Sequence, residues 1–341
     1  MKYLSQLTKD QIEDKKCLLR INLDIKDPSK DSLRIDASLP TIKFLLEGGA
    51  KILILSHRGR PERPDSKLSL EPLIKILQTK TDLTFRSPTS VGSQTSLNLS
   101  WLENLRFDPR EQQNDDGFAQ ELASKGHFFV NDDFAVSHRA NASVMAITKH
   151  LPSYAGLRLE KEIKILSGAV NNPQRPLVLI IGGAKIDDKI GVIENFRSKA
   201  DHILTGSSYI DLLKSNFQGK FDFAKIIIPE DWTGEDGRKL DIGSKTIDKY
   251  TNIISQAKTV VWNGPMGMFE NPKYLNGSQK IAEAIISSGA FSIIGGGDTQ
   301  QLLNQLGIED KFSFISTGGG AMLEFLAGKK LPALEVLGYY S

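Results

Sequence analysis

Arginine recurs in this sequence at places where an α/β chain can bind a ligand. Arg20 and Arg34 come early, and Ser56-His57-Arg58-Gly59-Arg60-Pro61 directly follows the apolar run KILIL. Arg106 sits in Glu103-Asn104-Leu105-Arg106-Phe107, and His138-Arg139 closes the stretch that begins FFVNDDFAVS. Guanidinium forks bind phosphate and carboxylate bidentately. The crevice at the carboxyl ends of the strands is where an open α/β sheet binds its ligands. Arginines converging there suit a small, multiply anionic molecule; any one of them alone can equally be a solvated surface charge.

The second half of the chain carries a different device, an apolar strand followed by glycines and then a helix. It occurs as LIIGGAKIDDK (Leu179–Lys189), SIIGGGDTQ (Ser292–Gln300) and FISTGGGAM (Phe314–Met322). Glycine lets backbone approach a ligand closely, and the N–H groups that open a helix attract anions. Three such loops in one lobe point to nucleotide phosphates, although none fits G-x-x-x-x-G-K-[ST] or G-x-G-x-x-G. Lys185 and Lys189, four residues apart, are expected on one face at a helix start, where two ammonium groups oppose the helix dipole unless an anion offsets them. A solvated basic face is the alternative. Asp298-Thr299 opens a helix after three glycines, so Asp298 reads either as an N-cap or as a carboxylate near phosphates that helps hold Mg2+.

Composition narrows the function classes. The length of 341 residues suggests about two domains. The net charge, 43 − 41 = +2, is too balanced for a general nucleic-acid binder. A single cysteine, Cys17, excludes an internal disulfide and a cysteine-rich zinc site. The five histidines form no i, i+4 pair, and no G-x-S-x-G elbow supports a hydrolase. No apolar run approaches the roughly 18 residues that cross a bilayer. The charged N-terminus MKYLSQLTKDQIEDKK lacks the core of a signal peptide. The expectation is a soluble, cytoplasmic protein with neither nucleic acid nor membrane as partner.

The elements that must position these residues alternate along the chain. Strands are predicted at Lys51–Leu55, His127–Val130, Pro176–Ile181, His202–Leu204, Ile226–Ile228, Thr259–Trp262, Phe291–Ile294 and Phe312–Ile315. Several are continuous Ile/Leu/Val runs, as in sheets covered on both faces. Leu39, Ile42, Leu45 and Leu46 form a helical stripe that Gly48-Gly49 ends. Leu159, Ile163, Leu166 and Val170 give a helix over Tyr154–Val170, followed by the breaker Asn171–Pro176. Strands alternating with helices argue for α/β lobes with parallel sheets, joined by that helix and connector.

These residues also carry a family resemblance. LPTIKFLLEGGAKILILSHRGRP (Leu39–Pro61), ENLRFDP (Glu103–Pro109), VNDDFAVSHRANAS (Val130–Ser143), GGAKIDDKIGVIENF (Gly182–Phe196), VVWNGPMGMFE (Val260–Glu270), IIGGGDT (Ile293–Thr299) and STGGGAMLEFLAGKKLP (Ser316–Pro332) resemble, in order, the signature segments of the phosphoglycerate kinase family. The resemblance implies two doubly wound, Rossmann-like α/β domains joined by an interdomain helix and hinge. Residues 1–153 would bind 3-phosphoglycerate, 154–175 form the interdomain helix and connector, 176–327 bind nucleotide, and 328–341 return to the first domain. The implied activity is reversible, Mg2+-dependent phosphoryl transfer between 1,3-bisphosphoglycerate and ADP, giving 3-phosphoglycerate and ATP, by a glycolytic kinase acting as a monomer.

Carried over by position, the resemblance gives the acid substrate to Arg34, His57, Arg58, Gly59, Arg60, Arg106 and Arg139, with Asn22, Leu23 and Asp24 at its hydroxyl. Nucleotide would be met by Lys185, Lys189, Asn263, Glu270, Gly296, Gly297, Asp298 and Thr299, with Asp298 on the metal. Arg34, Lys185, Gly318 and Gly319 would stabilise the phosphoryl group in flight. The family usually has Asp and Asn where this chain has Asn22 and Asp24, and three glycines where it has Thr205-Gly206-Ser207. The stretch between Leu213 and Pro229 is shorter than in most relatives. Residues two apart on a strand share a face, so the exchange at Asn22 and Asp24 is expected to keep both groups on one surface, unless Asp24 merely pairs with Arg20 or another nearby arginine. A catalytically silent relative would have no reason to keep Arg34, Lys185, Lys189 and the glycine loops, and a Rossmann dehydrogenase would need the missing G-x-G-x-x-G.

Overall fold

The computed structural model describes residues 1–27, 32–81, 98–209 and 225–341. The chain divides into two units, one of Met1–Ile163 with Lys330–Ser341 and one of Lys164–Lys329.

The first unit is built on a parallel sheet of β1 (Lys16–Arg20), β2 (Lys51–Leu55), β3 (Leu99–Trp101), β4 (Phe128–Asn131) and β5 (Ser153–Ala155) in the order β3-β2-β1-β4-β5. Side chains alternate across a strand, so Cys17 and Leu19 enter the core on one face while Leu18 enters the other. The first face is covered by α1 (Leu33–Glu47), through Ile42 and Leu45, and by α2 (Glu71–Thr81), through Leu73 and Leu77. The second is covered by α3 (Asp116–Ala123), through Phe118 and Leu122. Gly48 caps α1, and Gly49 follows it with φ +81°, the left-handed region that glycine enters without strain.

The helix expected over Tyr154–Val170 starts later. Ser153–Ala155 pairs with β4, and the Tyr154 ring meets Phe128 edge-on at 6.1 Å, so Tyr154 is drawn into the sheet edge. The helix α4 then runs over Leu157–Asn171 and buries Leu159, Ile163 and Leu166. Its residues up to Ile163 belong to the first unit and those from Lys164 to the second.

The second unit holds a parallel sheet of β6 (Leu177–Ile181), β7 (His202–Thr205) and β8 (Ile226–Ile227). A short antiparallel pair, β9 (Trp232–Thr233) and β10 (Asp241–Ile242), stands apart, and β11 (Thr259–Asn263), β12 (Phe291–Gly295) and β13 (Phe314–Ile315) complete the sheet. Its order is β13-β12-β11-β6-β7-β8. The helices α5 (Asp187–Phe196), α6 (Ser244–Ser255), α7 (Asn276–Ser288), α8 (Gly297–Leu306) and α9 (Gly319–Leu326) alternate with these strands. The chain ends in α10 (Pro332–Val336), part of the first unit, where Ala333 packs with Val136 and Val144. Both sheets are doubly wound: strand order reverses between β1 and β4 in one and between β6 and β11 in the other. Those reversals open the crevices where such sheets bind ligands. The stretch read as shortened, Leu213–Pro229, lies as far as residue 224 outside the described residues.

Ile180 lies fully buried in β6, between β11 and β7. Ile180→Ala should remove about 2–5 kcal/mol of stability. The expected reading is a lower urea midpoint at an unchanged slope; an unmoved midpoint would show that β6 is not core.

Candidate active site

The first unit gathers its charges at the β1/β4 reversal. Arg20, the last residue of β1, has no exposed side-chain surface, and neither has its ion-pair partner Asp133 just past β4, at 3.2 Å. Arg20 makes three further hydrogen bonds. Nε donates to Ser143 Oγ at 3.2 Å, Nη1 to the Ile21 carbonyl at 3.1 Å, and Nη2 to His57 Nδ1 at 2.8 Å. Buried Glu111 accepts from the Ser143 hydroxyl at 2.6 Å and from its N–H at 2.9 Å. Guanidinium never accepts, so His57 Nδ1 must accept and the ring proton sits on Nε2. That nitrogen faces Asp24 Oδ2 at 3.6 Å.

The His57 pKa is pushed down, first by burial and then by the charges of Arg20 and Arg106, against the opposing pull of Asp24. Burial would raise Asp24, yet His57, the Gly59 N–H at 2.8 Å and the charge of Arg34 outweigh it and hold the carboxyl well below the usual carboxylate range. Arg34 Nη1 donates to the Asp24 carbonyl. Arg106 Nη1 donates to the Gly59 carbonyl at 2.7 Å, and its buried Nε has no hydrogen-bond partner. Direct contacts therefore join Asn22, Asp24, Arg34, His57, Gly59 and Arg106. Leu23 is buried, its N–H given to Ser56 Oγ at 3.1 Å. Arg60 and Arg139 are exposed and available to an anion.

Three expectations change here. Asn22 and Asp24 lie beyond the end of β1, and Asn22 Oδ1 accepts the Asp24 N–H at 3.1 Å, so the two do not stand side by side on a strand face. Asp24 is not the partner of Arg20; Asp133 is. Arg58 turns inward, donating to the carbonyls of Ile25, Ser69 and Lys26 at 2.9, 3.2 and 3.1 Å, so it staples loops together. Asp133, Glu111 and Ser143 escaped the sequence reading because nothing in local spacing links residues that lie from 32 to 123 positions apart.

A larger groove of about 600 Å³ lies elsewhere in this unit, lined by Leu102, Phe107, Phe118 and Leu122. Glu103, Asp108 and Glu121 outnumber Lys125 on its wall, which disfavours an anion.

In the second unit, the loops after β6, β11, β12 and β13 come together. A Cβ on Gly182 would stand 2.0 Å from the Pro265 carbonyl, and one on Gly264 would stand 2.1 Å from the Gly182 carbonyl, so this approach of two backbones requires glycine. The Gly183 N–H donates to the Pro265 carbonyl at 2.7 Å, and the Gly264 N–H to Thr299 Oγ1 at 2.7 Å. Asn263 Nδ2 is buried without a hydrogen-bond partner beside Gly296, an amide donor ready for an acceptor. Beside these loops is a cleft of about 280 Å³ whose wall includes Gly183, Ser207, Ser208, Met266, Glu270 and Asp298. Ser207 Oγ donates to the Lys239 carbonyl at 3.0 Å and Ser208 Oγ to that of Gly183 at 2.9 Å, so the Thr205-Gly206-Ser207 departure ties this wall together.

Lys185 and Lys189 do not share a helix face. Lys185 precedes α5 and is exposed, whereas Lys189 is buried and donates from Nζ to the Gly182 carbonyl. Burial pushes the Lys189 ammonium down to about 8, against the attraction of Asp298 and Asp188. Asp298 is not a side-chain cap: Gly296, with φ +95°, occupies that position, and Gly297 and Asp298 form the first turn of α8. Gly318 caps α9 but gives its N–H to Ser316 Oγ at 3.2 Å, with Gly319 the first residue of the helix. Among the described residues no group of three or more His, Cys, Asp or Glu could hold a metal unaided. Asp298 stands singly on the wall of the cleft, and an Mg2+ bound there would need waters and ligand oxygens to complete its shell.

The phosphoglycerate kinase family profile matches residues 7–220 and 210–329, two segments that overlap where the chain reads as shortened. Phosphoglycerate kinase of Chloroflexus aurantiacus is 39% identical over 383 residues, covering 95% of this chain and 96% of the relative. That of Dictyoglomus turgidum is 37% identical over 392 residues, covering 98% of each. Both alignments exceed the 341 residues of this chain, so it lacks residues the relatives have. The phosphoglycerate kinase structure from Coxiella burnetii superposes with a TM-score of 0.83 at 31% identity, over 99% of this chain and 98% of that one. The one from Pyrococcus horikoshii gives 0.80 at 29% identity with the same coverage. The chain belongs to the phosphoglycerate kinase family.

Proposed function

We propose that this chain transfers a phosphoryl group reversibly between 1,3-bisphosphoglycerate and ADP, with the acid bound on the first unit and Mg-nucleotide on the second. The observation that carries the reading is the division of chemistry within one chain. An arginine-rich anion site lies at the switch point of one sheet, and a glycine-lined cleft lies at that of the other. Arg34, Arg60, Arg106 and Arg139 supply charge for the acid, and His57 and Asp24 orient it. Gly296, Gly297, Asp298, Thr299, Asn263, Glu270 and Lys189 receive the nucleotide. Mg2+, held through Asp298 and the phosphates, would neutralise charge on the transferring group. Each chain contributes both sites, so a monomer suffices.

The nucleophile is a carboxylate, ionised at neutral pH, so no general base is required. Catalysis then rests on positioning and on positive charge around the phosphoryl group. Arg34 would supply that charge from the first unit, and Lys185, the N–H of Gly319 and the opening of α9 from the second. Hinge motion about α4 would bring donor and acceptor in line and exclude water.

Mg-ATP and 3-phosphoglycerate, assayed through a coupled oxidation of NADH, should give turnover by the wild type. Lys185→Ala should lower kcat by about 10²–10³ with a smaller change in ADP affinity, because it removes one transition-state contact. No turnover would end the proposal, and an unchanged kcat in the variant would remove Lys185 from the mechanism. Lys189 predicts a pH dependence. Its ammonium is protonated below about 8, and an anion favours that form, so ADP affinity should fall as pH rises from 7 to 9, by up to about tenfold per unit. Calorimetry on wild type and Lys189→Gln reads this directly. Equal slopes in the two proteins would mean another group is responsible.

A further inference from the structure

In the loop after β2, four consecutive backbone groups are held by side chains. The Arg58 N–H goes to Asn104 Oδ1 at 3.2 Å, and the Arg58 carbonyl accepts from Asn104 Nδ2 at 2.7 Å. The Gly59 N–H goes to Asp24 at 2.8 Å, and the Gly59 carbonyl accepts from Arg106 at 2.7 Å. Asn104 is only 2% exposed, and each atom of its amide makes a second bond. Oδ1 also accepts the Arg106 N–H at 3.1 Å, and Nδ2 also donates to the Leu68 carbonyl at 2.9 Å. Leu68 packs in turn on Gly59, where an added Cβ would stand 2.8 Å from Leu68 Cδ2. Glu103 fixes Asn104 from behind, accepting its N–H at 2.8 Å while also accepting the Leu70 N–H at 2.8 Å and the Ser69 hydroxyl at 2.7 Å.

Asn104 also opens the single 3-10 turn Leu105–Phe107, and its bond from the Arg106 N–H is an ordinary N-cap. A cap needs one acceptor oxygen, and Asp serves there as well as Asn. Capping therefore leaves both Nδ2 bonds and the bond to the Arg58 N–H unexplained, and these are the bonds that reach the loop after β2. We propose that Asn104 is a positioning residue for the anion site of the first unit, holding the Arg58–Gly59 backbone and the Arg106 backbone in one frame so that Arg60 and Arg106 meet the acid together. A planar amide offers its donors and lone pairs at fixed angles, so the two segments cannot shift against each other without losing bonds. Arg60 is exposed, and its place follows from the backbone that leads to it. With that backbone fixed in advance, binding the acid has only side chains left to order.

The inference rests on the phosphotransfer reading above, and Asn104→Asp tests it. That change keeps the size and the acceptor Oδ1 and removes both donors. KM for 3-phosphoglycerate should rise at least about tenfold, the loss expected when a charge-assisted contact is misaligned. The kcat and the nucleotide KM should stay within about twofold of wild type, the pattern of lost binding rather than a lost transition-state contact. Calorimetry should show the same rise in Kd for 3-phosphoglycerate. An acid KM within about twofold of wild type overturns the proposal, whatever the melting temperature, because Asn104 is then only a cap. Equal rises in both KM values overturn it as well, since the effect would not be confined to the acid. Should the variant fail to fold, hydrogen exchange on the wild type decides: the Arg58 and Arg106 amides should exchange at least about a hundredfold slower than in an unfolded chain. Rates near the unfolded values overturn the proposal. A wild type that binds 3-phosphoglycerate without turnover contradicts the functional reading instead, and the Kd comparison still decides on Asn104.

Discussion

The arginine cluster of the first unit depends on one guanidinium taken out of water. Arg20 and Asp133 are fully buried, and such a pair adds little net stability because desolvation offsets the attraction. Removing one partner would leave an uncompensated charge at a cost of about 3–5 kcal/mol. What the pair contributes is geometry. With Asp133 on one side and Ser143, backed by Glu111, on the other, Arg20 has a single orientation. In that orientation it presents Nη2 to His57 and so fixes both the ring and its tautomer. His57 then faces Asp24, whose other oxygen holds the Gly59 N–H, and Gly59 in turn holds Arg106. One buried charge thus sets the positions of four groups offered to the ligand.

The position of that charge follows from topology. Arg20 ends β1 and Asp133 follows β4, the two neighbours at the point where the strand order reverses. Parallel strands deliver their carboxyl ends to one edge, and the reversal sends the following connections to opposite sides, leaving a crevice. The second unit uses the same crevice differently. Between β6 and β11 the space is closed by glycine backbones too near one another for any side chain, so backbone lines it, with the Asn263 amide and the Lys189 ammonium beside it. Arginine forks suit a small acid with several charges; backbone donors suit phosphates in a row. Transfer between a carboxylate and a phosphate needs no proton shuttle.

Most of the sheet framework was legible in the sequence because parallel strands buried on both faces are continuous apolar runs. KILIL and LVLII show this directly. KCLLR did not stand out, since Lys16 and Arg20 bound only three apolar residues, and Ser153–Ala155 was hidden by the helical period that begins two residues later. The residue types gathered at the strand ends were legible, but their partners were not. Arg58 and Arg60 look alike in SHRGRP, yet one is bonded to three carbonyls and the other is exposed. Lys185 and Lys189 look like one helix face, yet the helix starts between them. Orientation of this kind is decided by tertiary contacts, which a single chain does not spell out.

The state of His57 tests the dependence on Arg20 most directly. Nitrogen-15 NMR of the labelled protein, titrated from pH 5 to 8, reads both tautomer and charge. The account predicts a neutral ring at pH 7 with its proton on Nε2, an unprotonated Nδ1 shifted by the Arg20 hydrogen bond, and a pKa below the usual 6.5. An imidazolium at pH 7, or a proton on Nδ1, would contradict it, because Arg20 could not then be the donor that holds the ring.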